Sequence, residues 1–207
     1  MIWISVGKRC NVKHQINKLK QKRETLLFDW FTTHFDSVNY LLEHHTNIEM
    51  LFQPETIQQC SSRPWHNETT PRMIMTAFPT QCEAIHDIHK KNFDKNDIKE
   101  CSDKYIRRAK RIIEYIKGTE PIVFLRFNDV NPEQRQAFIK NVLHINPKCD
   151  FTLVSINEYA EHHSVIKKKH SIEINLNIPN VKQLHKQDWS SSYIRWESIF
   201  KLLDNII

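Results

Sequence analysis

A chain of 207 residues, 40% hydrophobic and 26% charged, has the composition of one globular domain with a sizeable core. Five cysteines at irregular positions (Cys10, Cys60, Cys82, Cys101 and Cys149) speak against a disulfide framework and for a reduced, cytoplasmic setting; the apolar N-terminal run is too short for a signal peptide, and no stretch reaches the roughly 20 apolar residues of a membrane span. The net charge of +6 comes from dispersed lysines and arginines, so solvated surface is the reading, with neither nucleic acid nor membrane expected as a partner and a basic nucleic-acid-associated protein kept as a second alternative.

Residues 2–6 form a short apolar run that predicts a buried strand, broken by Gly7, one of two glycines in the chain. Helical periodicity follows over 11–23, with Val12, Ile16 and Leu19 on one face. Phe28-Asp29-Trp30-Phe31 reads as a compact aromatic turn or short extended piece. Residues 36–46 predict a helix capped by Asp36. Residues 48–53 predict a short strand, 54–71 a loop rich in breakers, and 73–78 a strand or apolar core piece. A long basic helix is expected over 95–117, stopped by Gly118. The apolar run 121–127, a helix opened by Pro132 and running to about His144, and the run 151–156 form a βαβ signal with parallel strands buried on both faces. Residues 158–170, with Lys167-Lys168-Lys169, predict a loop; 171–178 alternate as a half-exposed edge strand; 190–206 predict a final helix. The fold class is therefore α/β, one domain over 1–207, with a central, mostly parallel sheet flanked by helices.

The strand–glycine–helix order puts Cys10 at or near a helix N-terminus, where the macrodipole and unpaired N–H groups favour a thiolate. Lys8, Arg9 and Lys13 add positive charge. A buried structural cysteine is the competing reading. Sites in open parallel sheets lie beyond the carboxyl ends of the strands. Three such ends matter: one presents Cys10, the piece after 73–78 leads to His86 and Asp87, and the third presents Arg126, Asn128 and Asp129. A Cys/His couple works because imidazole takes the thiol proton and returns it to the leaving group, while a third side chain fixes the tautomer. Cys82, His86 and His89 are spaced so as to face one side of a helix, with Cys60, His66 or Cys101 to complete a zinc site. No Cys-x2-Cys pair supports this, and neither metal nor cofactor is expected. No Gly-rich phosphate loop and no Gly-x-Ser-x-Gly elbow is present.

Several of these segments resemble motifs of one family. Ile4-Ser5-Val6-Gly7-Lys8-Arg9-Cys10 is similar to its strand-Ser-Leu-Gly-x-x-Cys opening, and Phe28-Asp29-Trp30 to its Pro-Phe-Asp-Trp motif, with Leu27 in place of proline. His86-Asp87-Ile88 resembles its His-Asp-Phe motif, and Arg107-Arg108 and Phe124-Leu125-Arg126-Phe127 its later Arg-Arg and Phe-Ile-Arg motifs. The motifs keep the family's order over roughly residues 2–157. The family is that of the papain-like cysteine peptidases found in bacteria and large DNA viruses, a peptidase by fold and motif. The resemblance implies a thiol hydrolase acting on an amide or peptide bond of a peptide or protein substrate, with Cys10 as nucleophile and His86 as base. Asp29, Asp87, Asn128 and Asp129 stay open as the third member. Asp29, Trp30 and Arg126 are expected to bind substrate or support the site. The family name implies a papain-like α+β arrangement as the alternative fold, and a viral copy would work in the host-cell cytoplasm. The alternative function is a catalytically inactive viral protein that binds host or viral proteins.

Overall fold

The computed structural model describes residues 1–8, 10–20, 24–60, 72–80, 82–84, 94–127, 130–181, 183–184, 190 and 193–207. In chain order its elements are β1 (Ile2–Ser5), α1 (Asn11–Leu19), a 3-10 turn (Leu27–Trp30), β2 (Phe31–Thr33), α2 (Phe35–Glu43) and α3 (Ile48–Leu51). A second 3-10 turn (Pro54–Thr56), β3 (Ile57–Cys60), β4 (Arg72–Met75), β5 (Cys82–Ala84), α4 (Lys95–Lys117) and β6 (Ile122–Phe127) follow. The chain closes with α5 (Pro132–Ile145), β7 (Phe151–Asn157), β8 (Tyr159–Lys168), β9 (Ser171–Asn177) and α6 (Trp196–Ile206). Among the described residues no helix is long and apolar enough to cross a membrane.

The apolar runs build the main sheet, ordered β1-β6-β7-β9-β8. β1, β6, β7 and β9 are parallel, and β8 returns antiparallel to β9. Every residue of β6 is buried, because alternate side chains feed two cores. Ile122 and Phe124 join Ile4, Val6 and Leu153 on one face; Val123, Leu125 and Phe127 meet Val12 and Ile16 of α1 and Phe200 of α6 on the other. Burying each such side chain contributes about 1.5–3 kcal/mol, which is why a strand without polar alternation sits mid-sheet. α4 and α5 start as their sequences demand: Asp94 accepts from the N–H groups of Asn96 and Asp97, and Asn131 from that of Gln134, with Pro132 in the first turn.

The mostly parallel α/β sheet flanked by helices is thus as expected, but a second sheet was not foreseen. β2, β5, β4 and β3 form an antiparallel four-stranded sheet against the first core. The segment after 73–78 therefore belongs to this sheet and is not a carboxyl end of the parallel one. Other expectations also change. Residues 48–51 are helical, not a strand. His34, not Asp36, holds the N-cap position of α2, without a side-chain capping bond; Asp36 lies in the first turn and accepts a hydrogen bond from Gln134 Nε2 at 2.9 Å. Cys82 lies on a strand, not a helix, and His86, His89 and His66 lie outside the described residues. Residues 159–168 are a strand, which places β8 at the edge and β9 inside. α1 stops at Leu19 and α6 begins at Trp196.

Candidate active site

The turn from β1 into α1 is fixed by a close approach. Val6 donates its N–H to Leu125 O at 3.0 Å, continuing the β1–β6 ladder. Gly7 then takes φ +80° and Lys8 φ +63°. A Cβ on Gly7 would lie 2.0 Å from Thr33 Oγ1, so only glycine fits, whatever its φ. Thr33 Oγ1 also accepts from the N–H of Lys8 at 3.4 Å. The turn delivers Cys10 to the N-cap of α1, where its carbonyl accepts from His14 N at 3.1 Å. Cys10 is half-buried, whereas Cys82, Cys101 and Cys149 are buried. Burial, helped by Asp150, pushes the Cys149 thiol up to about 11, and burial with Glu83 pushes Cys82 well above its ordinary range. Of the α1 N–H groups, that of Val12 is already taken by Asn11 Oδ1 at 2.8 Å.

Arg126 is 3% exposed and reaches from β6 into the seam between the two sheets. Its Nη1 donates to Val6 O and its Nη2 to Thr33 O, each at 2.9 Å. Its guanidinium lies 5.4 Å from the centre of the Phe35 ring. One side chain thus clips the end of β1 to the end of β2. Burial lowers its pKa to about 9, opposed by the field of Asp36, so it is charged at neutral pH.

Asp29 is fully buried at the end of the first 3-10 turn. Its Oδ2 accepts from Leu26 N at 2.7 Å and pairs with Lys13 Nζ at 2.9 Å. Desolvation raises its pKa; Lys13, the Leu26 N–H and Arg108 of α4 oppose the rise. Asp29 therefore anchors the first turn of α1, three residues beyond Cys10. It also offsets the Lys13 charge that the sequence had offered to the Cys10 thiolate. Trp30, half-buried, ends the same turn. Among the described residues, Asp29 Oδ1 and Arg126 Nε are buried without a hydrogen bond.

His86, Asp87, Asn128 and Asp129, together with Arg9, lie outside the described residues. The chain is described up to Ala84, which pairs with Phe31, and up to Phe127, which pairs with Ile156. The structure brings Cys10, Lys13, Asp29 and Arg126 to one end of the parallel sheet. Thr33 escaped sequence reasoning, because nothing in a three-residue strand marks a hydroxyl that meets a glycine. Glu158 escaped it too: it falls in a segment read as loop, yet it is fully buried just past β7 and accepts from Tyr193 Oη at 2.9 Å.

Residues 1–161 match the family described as "Putative papain-like cysteine peptidase", and the chain belongs to that family. No curated protein and no solved structure matches it.

Proposed function

We propose that this chain is a thiol hydrolase that cleaves an amide or peptide bond through Cys10 and His86. The observation that carries the reading is the placement of Cys10: half-buried, at the N-cap of α1, past the carboxyl end of β1. A helix start favours the thiolate, and this edge is where parallel sheets hold their sites. In the reaction, Cys10 Sγ bonds to the substrate carbonyl carbon while His86 takes the thiol proton. N–H groups at the start of α1 hold the oxyanion. The carbon–nitrogen bond breaks as the imidazolium protonates the leaving amine, and water then hydrolyses the thioester, returning the thiol and a carboxylate. The group that orients His86 is Asp29, Asp87, Asn128 or Asp129. Asp29 is favoured by its spare buried Oδ1 and by its place two residues before Phe31, the partner of Ala84, which His86 follows by two positions in the sequence. Arg126 supports the site rather than binding substrate, since its guanidinium is sealed among main-chain carbonyls.

The test is limiting iodoacetamide, titrated over pH and mapped by mass spectrometry. Cys10 should label first, and His86→Ala should lower its labelling at neutral pH. If His86→Ala leaves the pH profile of Cys10 unchanged, the couple does not exist, and the inactive protein that binds host or viral proteins replaces the hydrolase.

A further inference from the structure

The far edge of the main sheet is built unlike the rest. β8 is last in the strand order, and every residue from Tyr159 to Lys168 except Ala160 is exposed. Val165 is 47% exposed and Ile166 41%. Pairing with β9 satisfies one row of backbone groups; the outer row meets no strand among the described residues. An open edge carrying branched apolar side chains is what a second extended chain adds to.

Beneath this edge a cleft of about 830 Å³ opens between the sheet and α6. Val165, Ile174, Leu176, Ile199 and Leu202 make it apolar, and Arg195 and His163 stand in its wall. No carboxylate is among its described lining residues. Glu161 is the one acidic residue of β8, against Lys167 and Lys168, and Lys169 follows. Lys167 is engaged by Ile206 O; among the described residues Lys168, Lys169 and Arg195 enter no ion pair. Two copies of a +6 chain meeting here would bring like charges together; an acidic occupant complements them.

We infer that the open edge of β8 and the cleft under it dock an extended acidic segment of a partner protein. The segment adds as a further strand, sets alternate apolar side chains over the cleft and turns the carboxylates between them to the other face, toward Lys168, with Lys169 and Arg195 adding to the positive field. The surface is independent of Cys10. Residues 162–168 of β8, all of β9 and all of α6 lie past the 161 residues matched to the family.

The test uses the full chain and two fluorescein-labelled decapeptides, one alternating Glu and Val, the other Lys and Val. By fluorescence anisotropy the Glu–Val peptide should bind at least tenfold tighter and weaken with added salt. It should also slow amide exchange across residues 160–168. Lys168→Glu with Lys169→Glu should lose tenfold in affinity at an unchanged melting temperature. Arg195→Glu, on the other wall, is the second variant should the first pair fail to fold. Equal binding of both peptides, no binding, or binding without protection of β8 overturns the inference. So does a concentration-dependent dimer in sedimentation that protects β8 without peptide, which would give the edge to a second copy.

Discussion

The two ends of the main sheet handle charge in opposite ways. At the β1 end, Arg126, Asp29 and Lys13 are buried and bound to backbone or to one another. At the β8 end, Lys168, Lys169 and Arg195 are exposed and enter no ion pair among the described residues. Taking a charge out of water is costly, so the first group persists only because each member holds a geometry in place. The second group costs the fold almost nothing and is left for solvent or a partner. The contrast separates residues that build a site from residues that offer one.

Substitutions should expose that contrast, beginning with the largest effect. Arg126→Ala leaves the carbonyls of Val6 and Thr33 buried without their donor and should cost about 3–5 kcal/mol. Urea denaturation measures this; a loss below about 1 kcal/mol would mean that the two sheets hold together without the clip.

Asp29→Asn removes the carboxylate paired with Lys13 Nζ, and its effect on stability should carry a pH signature. Because burial raises the folded pKa of Asp29 above its ordinary value, its contribution is fully present below the unfolded pKa and is lost as pH rises through the folded one. The stability gap between wild type and Asp29→Asn should therefore narrow from acid toward neutral pH. A gap that widens would show the Lys13 pair outweighing desolvation. Gly7→Ala meets Thr33 Oγ1 and a left-handed φ, and should cost roughly 2–3 kcal/mol; adding Thr33→Ala should recover part of it, as a double-mutant cycle would report.

Smallest is Val165→Thr on β8, which should shift stability by less than about 0.5 kcal/mol. A loss several times larger, read from the melting temperature, would mean that the edge is covered in the protein alone.

Legibility in the sequence follows the same division. The β6–α5–β7 unit could be read because a strand buried on both faces is an unbroken apolar run and Pro132 marks a helix start. The antiparallel sheet could not, since β2 and β5 have three residues each and no period shows in so few. β8 was hidden for the opposite reason: exposed along nearly its whole length, it carries no apolar alternation and resembles a loop. Cys10 stood out through Gly7 and the helix beyond it. Arg126 also stood out, but its partners lie 120 and 93 positions away in the chain, and no local pattern reports a bond of that span.

That span has a consequence for how the protein comes into being. Among the described residues β1 has a single neighbour in its sheet, β6, and Ser5 waits for Leu125 to find its register. At translation speeds of 5–20 residues per second, the intervening segment takes roughly 6–24 s to emerge. Until then the first strand lacks the sheet neighbour that sets its register. The cysteine is made well before the strand that fixes the turn carrying it.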